Sequence, residues 1–314
     1  AEDGAIKVFA SNLQQLLMQP PIAGQTVLGW DPAFRTGCKL AVVDPTGKVL
    51  DTVVIFPTAP QKKVAEAKNT VNALIKKYGI TLISVGNGTA SRESEMVIAE
   101  LISELDTPVQ YVITNEAGAS VYSASKLATE EFPHFDVGQR SAASIARRVQ
   151  DPLAELVKID PKAIGVGQYQ HDMNQKKLTE ALDAVVEDSV NKVGVDLNTA
   201  SAPLMEHISG INKTLAKNIV DYREANGRFK TRKELLKVAK LGPKAFEQCA
   251  GFLRVPESKE ILDNTGVHPE SYPAAKALLK LLNTADCATL PRQLQEYGTG
   301  KAAQDCGVGE PTLI

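Results

Sequence analysis

A chain of 314 residues is long enough for two or three domains with full cores, which excludes a small scaffold held together by disulfides or metal. Hydrophobic residues make up 43% and charged residues 23%, and 35 Lys and Arg against 37 Asp and Glu leave a net charge of −2, so the whole-chain charge points to no polyanionic or membrane partner. There is no apolar run near the roughly 18 residues of a membrane span, no leader-like amino end, and no CxxC pair or Cys/His cluster among Cys38, Cys249, Cys287 and Cys306, which predicts a soluble cytoplasmic protein with reduced thiols and no metal or cofactor site.

The chain begins at Ala1 inside an amphipathic pattern of Ile6, Phe9, Leu13, Leu16 and Leu17. It reads as a piece of something longer, with a helical lead-in over 1–25. Three β-rich runs follow, Thr26 to Trp30, Lys39 to Val43 and Val49 to Phe56. The last two flank Asp44-Pro45-Thr46-Gly47-Lys48, in which Pro presets φ and Gly accepts positive φ, as a hairpin requires. A helix carrying Val64, Val71, Leu74 and Ile75, a short strand from Thr81 to Val85, a helix carrying Met96, Val97, Leu101 and Leu105, and a strand from Val109 to Ile113 complete the order βββαβαβ. One or two helices between Ala119 and Gln150 close this α/β domain, which spans 26–170.

From Asp172 onward only helices are predicted. Leu178, Leu182, Val185, Val186, Val190 and Val193 mark one of them, ended by Gly194. Residues 201–254 contain an approximate repeat: Ile-Ser-Gly-Ile-Asn at 208–212 matches Val-Ala-Lys-Leu-Gly at 238–242, each followed by a basic amphipathic helix. This is the pattern of a helix-hairpin-helix unit, whose apolar positions anchor the turn and whose glycines, or Asn as second best, supply positive φ. The first copy keeps Gly210 and has Asn212 at the second site; the second has Lys240 at the first site and keeps Gly242. Such a turn leaves N–H groups facing a phosphate, and Lys213, Lys217 and Lys244 follow where an ammonium can pair with it. Residues 198–254 hold eleven Lys and Arg against five Asp and Glu, a net of +6 in a chain of net −2. That basic island is the footprint of a backbone binder, against the alternative of hairpins that merely pack helices. In the connector, Asn226-Gly227 is predicted to stop a helix and Phe229 to return to the core, flanked by Arg228 and Lys230 as phosphate contacts. The all-α double helix-hairpin-helix domain is placed at 171–255, and 256–314 reads as a helical connector running into a truncated linker.

The α/β domain has the layout of ribonuclease-H-like enzymes, which bring three or four carboxylates onto divalent metal ions. Asp31, after the first strand, fills the first position. The edge after the fourth strand reads Gly86-Asn87-Gly88-Thr89, with Glu93 and Glu95 only later, and the closing helix begins Val137-Gly138-Gln139-Arg140-Ser141 without an acid. Asn87 and Arg140 thus stand where acids are required, leaving Glu116 and Asp136 as further candidates and Asp31 as a vestigial catalytic residue. Gly86-Asn87-Gly88-Thr89-Ala90-Ser91 also suggests an anion nest at a helix start. His134, His171, His207 and His268 are read as surface or capping residues.

Several stretches resemble the bacterial Tex family of transcription accessory proteins, related to a eukaryotic transcription-elongation histone chaperone. They are Leu28-Gly29-Trp30-Asp31-Pro32 with Arg35-Thr36-Gly37, Gly86 to Glu93, and Asn115-Glu116-Ala117-Gly118-Ala119 through Ser125. They continue with Ile145 to Arg148, Asp151 to Ile159, Gly165 to Asp172, Val195 to Ser201, and the hairpin pair. The resemblance implies a YqgF-type ribonuclease-H-like domain, a double helix-hairpin-helix domain and a connector toward an S1 domain, with this chain as the central portion. It further implies a nucleic-acid-binding role in transcription, on DNA or RNA, with RNA polymerase or other transcription proteins as candidate partners and no established nuclease activity. Trp30 departs from the smaller aliphatic residue expected there and is predicted to crowd the acidic edge. The expected function is sequence-independent, non-enzymatic binding of nucleic-acid backbone; the alternative is a metal-dependent, resolvase-type nuclease.

Overall fold

The computed structural model describes residues 1–165 and 168–309, and places them in two compact units that part between Ser189 and Val190. The division falls inside a helix, α8 in the numbering below, whereas the sequence reading put the boundary just before that helix.

The first unit opens with α1 (Glu2–Leu17), and its sheet comprises β1 (Val27–Asp31), β2 (Cys38–Val43), β3 (Val49–Ile55), β4 (Leu82–Gly86) and β5 (Gln110–Thr114). The strand order is β3-β2-β1-β4-β5, with β1, β2 and β3 antiparallel and β4 and β5 added parallel to β1. The elements α2 (Val64–Tyr78) and α3 (Ser91–Glu104) connect the later strands. After β5 come α4 (Ala119–Ser123), α5 (Lys126–Glu131), α6 (Val137–Gln150) and α7 (Pro152–Leu156). The order βββαβαβ is therefore the observed one.

Alternation along β1 sorts its side chains onto two faces. Leu28 and Trp30 join Leu40, Val71, Ile83 and Ile98 in the core beneath α2 and α3. Val27 joins Ala41, Val43, Ala142, Ala143 and Ala146 in the core beneath α6. The alanines let α6 lie close to the sheet, and a Cβ on Gly29 would overlap the Ala142 carbonyl oxygen. Trp30 is fully buried on the face opposite Asp31, so it does not crowd the acidic edge.

The α8 helix (Gln175–Val193) leads into the second unit, which contains β6 (Val195–Asp196), α9 (Ala202–Met205), α10 (Lys213–Asn226), α11 (Pro243–Cys249) and β7 (Leu253–Arg254). The strands β6 and β7 pair in parallel and tie the start of the hairpin region to its end. The 260s onward contain α12 (Tyr272–Leu281), α13 (Leu290–Tyr297) and α14 (Thr299–Cys306), gathered on a small core of Leu278, Leu294 and Ala302. The segment read as a linker is thus helical through Cys306. Helices of eight residues with two or three apolar positions are too short to show a period in sequence.

Candidate nucleic-acid interface

The two hairpins repeat at an offset of 30 residues, and the equivalence holds bond by bond. In the first turn Ile208 N–H donates to Met205 O and Ile211 N–H to Ile208 O, both at 3.0 Å. In the second, Val238 N–H donates to Leu235 O at 3.0 Å and Leu241 N–H to Val238 O at 3.1 Å. The anchors Ile208, Ile211, Val238 and Leu241 are all buried. Each hairpin's second helix also braces the other's turn: the Asn218 amide on α10 donates to Ala239 O at 2.9 Å, and Gln248 on α11 lies against Gly210.

Positive φ is needed at only the first of the two signature positions. Gly210 has φ +84° and Lys240 φ +65°. Asn212 and Gly242 instead have φ −91° and −87° with extended ψ, and act as the N-caps of α10 and α11. The Asn212 carboxamide accepts the Leu215 N–H at 2.8 Å, so Asn is present as a helix cap rather than as a substitute for a left-handed glycine.

The basic island divides by residue type. Three of its four arginines serve the fold: Arg223 donates to Leu197 O and Ala200 O, buried Arg232 to several carbonyls, and Arg254 to Gly251 O; the fourth, Arg228, is exposed and pairs with Glu257. The Arg228 pair is exposed on both sides and therefore weak. Lys213, Lys217, Lys240 and Lys244 are exposed and make no ion pair among the described residues. Lys230 is exposed as well, its backbone N–H held by Glu234 at 2.9 Å. Lys213 opens α10 and Lys244 lies in the first turn of α11, where the leading N–H groups have no partner within the helix. Gly227 ends α10 with φ +81°, and Phe229 returns to the core, stacked on Tyr222 at 5.1 Å and held through both main-chain groups by the Asn198 carboxamide.

In the other unit, Asp31 and Glu116 come together at the sheet edge where β1, β4 and β5 end. Burial raises the Glu116 carboxyl above its usual range and the Asp31 charge raises it further, against the Gly88 N–H and the Arg148 guanidinium. Burial likewise raises Asp31, opposed by a hydrogen bond from Ser141 and by Lys39. A Cβ on Gly86 or Gly88 would fall on the Glu116 carboxylate, and Asn87 Oδ1 accepts the Glu116 N–H at 3.1 Å. The Gly86–Gly88 segment, read in sequence as an anion nest, lies against the protein's own Glu116 carboxylate.

The other expected participants are elsewhere. Arg140 turns its guanidinium to the Phe132 and Ser123 carbonyls, away from the acids, so it brings no charge to this edge. Asp136 forms the capping box of α6 with Gln139, and Glu95 accepts from Tyr111. The cation that does face Glu116 is buried Arg148, missed in sequence; burial lowers its pKa to about 10, and it donates to Asn115 O and Ala117 O at 2.8 Å each. Two carboxylates converge, with a serine and an arginine beside them, and no group of three or more His, Cys, Asp or Glu able to hold a metal ion occurs among the described residues. The edge thus supplies two carboxylates, fewer than the three or four that a two-metal nuclease centre uses. His268 caps the turn Pro269–Ser271, as a capping role predicts.

Residues 25–150 match the family described as the Tex protein YqgF-like domain, residues 190–254 the helix-hairpin-helix motif, and residues 260–314 a further HHH domain. The chain is 54% identical over 317 residues to the uncharacterized protein YdcI of Bacillus subtilis (strain 168), covering 100% of this chain and 44% of that protein. It is 57% identical over 280 residues to the transcriptional accessory protein Tex of Neisseria gonorrhoeae, covering 89% and 36%. It is 49% identical over 258 residues to the human S1 RNA-binding domain-containing protein 1, covering 81% and 26%. The chain thus spans less than half the length of these relatives. No helix among the described residues is long and apolar enough to cross a membrane.

Proposed function

From a chain that carries a Tex-type YqgF-like domain followed by two helix-hairpin-helix domains, we propose a nucleic-acid-binding module of the transcription machinery that grips the phosphate backbone without reading sequence. The observation that carries this reading is the pair of equivalent turns, braced against each other and leaving Lys213, Lys217 and Lys244 exposed while Arg223, Arg232 and Arg254 are bound into the fold. Ammonium groups and main-chain N–H groups recognise phosphate oxygens, which every sequence presents alike. Gly210, Asn212 and Gly242 set the turn geometry, and Arg228 and Lys230 extend the basic surface. A transcription role rests on the likeness to a transcriptional accessory protein, and RNA polymerase is the candidate protein partner.

Binding of fluorescent single-stranded and duplex DNA and RNA over a salt series tests this. With three or four phosphates neutralised, log K against log[salt] on duplex has a slope of about −3 to −4, with affinity on the order of micromolar or weaker at physiological salt. Replacing Lys213, Lys217 and Lys244 together with Glu abolishes binding. Unchanged affinity in a folded triple variant moves the site elsewhere, and a tenfold preference for one sequence over scrambled controls contradicts backbone recognition.

The YqgF-like domain is read as non-enzymatic because its acidic edge brings together two carboxylates, Asp31 and Glu116, with the Arg148 guanidinium nearby, rather than three or four acids.

A further inference from the structure

The two hairpins are built alike but charged differently. At the 30-residue offset Gly210 aligns with Lys240, and Lys217 with Glu247. Both turn positions require positive φ. At Gly210 no side chain fits, because a Cβ would lie 2.7 Å from the Gln248 Cβ and 3.3 Å from Ala245 O. Lys240 keeps its side chain in solvent and adopts φ +65°, a backbone state that any residue with a Cβ disfavours. Glycine would satisfy this turn with less strain, so the lysine works against local backbone preference. A strained, exposed, charged residue is a reason to look for function at that position.

Its surroundings indicate which function. The Asn218 side-chain amide donates to Ala239 O, and the chain neighbours of these two residues are Lys217 and Lys240, both exposed and from different hairpins. The equivalent place at the first turn has Gly210 and Glu247 instead. The second-turn brace is thus adjoined by two lysines, whereas the first-turn brace is adjoined by Glu247 beside Gln248 and by Lys244 beside Ala245.

We infer that Lys240, together with Lys217, forms the principal phosphate contact of the tandem hairpins, with the turn held in a strained state to place the ammonium there. This rests on the reading of the hairpins as a backbone-binding module. The substitution Lys240→Gly separates strain from charge in the full chain. Removing the Cβ relieves the turn, so Tm rises by about 1–3 °C. Duplex binding weakens by about fivefold to tenfold at 0.1 M salt, and the slope of log K against log[salt] becomes shallower by about 0.9, the loss of one neutralised phosphate. Lys240→Arg retains the wild-type slope. An unchanged slope in Lys240→Gly, while the triple Lys213, Lys217 and Lys244 variant still loses binding, overturns this inference and leaves the module reading intact. A wild-type chain without salt-dependent binding overturns both.

Discussion

Arg232 offers the sharpest test of what holds the second unit together. It is 1% exposed, and its guanidinium donates to the carbonyls of Leu253 at 2.8 Å, Leu262 at 3.1 Å and Val267 at 2.6 Å, to Thr265 O, and to the Tyr272 hydroxyl at 2.9 Å. Tyr272 donates in turn to Asp263 at 2.6 Å, and Asp263 also accepts from Ser258 and from the Arg232 N–H. The cation and the buried carboxylate are thus connected through Tyr272, whose hydroxyl is pushed above its ordinary range by burial and by Asp263. The network joins the second hairpin to the segment that begins the following helical domain. In Arg232→Met the stem is retained, but the Leu253, Val267 and Thr265 carbonyls lose the guanidinium donor, Leu262 O keeps only its Thr265 donors, and Asp263 loses its nearby cation. A stranded buried acceptor costs about 1–3 kcal/mol, and breaking a buried charge network about 3–5 kcal/mol after relaxation, which sets the expected loss. With a urea dependence near 2 kcal/mol/M, the unfolding midpoint of this unit falls by about 2 M. Hydrogen exchange at amides 253–272 follows the unit directly, while the sole tryptophan, Trp30, reports the sheet unit and serves as an internal control. Arg232→Lys recovers less than half the loss, because three donors on a flexible stem cannot reach acceptors arranged around a planar fork. A midpoint shift below about 0.5 M for Arg232→Met would refute this reasoning.

Two predictions concern the acidic edge. With Mg²⁺ or Mn²⁺ the chain cuts neither duplex DNA, RNA–DNA hybrid nor four-way junction, as gel assays read directly; metal-dependent cleavage lost in Asp31→Asn would show that two carboxylates suffice. The raised pKa of Asp31 means that the folded state holds its proton more tightly than the unfolded state, so the stability this group contributes is present at low pH and is lost as pH rises through the folded pKa. Asp31→Asn removes that dependence: its Tm exceeds the wild-type value at pH 7.5, and the gap closes as pH falls toward 4. A variant less stable at pH 7.5 would mean that Lys39 and Ser141 outweigh burial.

The order of strands and helices was legible in the sequence because each element there is long enough to show its period and is bounded by Gly or Pro. Asp44-Pro45-Thr46-Gly47 announces the hairpin between β2 and β3, and the alternation after it forces parallel additions to the sheet. The paired hairpins were legible for a related reason, since a short motif that recurs with the same apolar anchors is hard to produce by chance. Local charge also survived folding, because lysines on turns stay in solvent.

Tertiary structure decided the rest, which depends on pairs far apart in the chain. Sequence places Trp30 beside Asp31, yet the period of two sends them to opposite faces of the sheet. Glu116 fills the Gly86–Gly88 cradle only because parallel pairing of β4 and β5 brings their ends together. Arg140 and Arg148 lie on one helix and both donate to backbone carbonyls, but the faces they occupy bring only Arg148 within electrostatic reach of Glu155 and Glu116. Composition counts a buried Arg232 and an exposed Lys240 as equal charges, whereas folding makes the first a structural pin and leaves the second in solvent. The backbone angles at Asn212 and Lys240, set by helix capping and turn packing, could not be read from residue identity, because the same five-residue pattern admits either glycine position as the strained one.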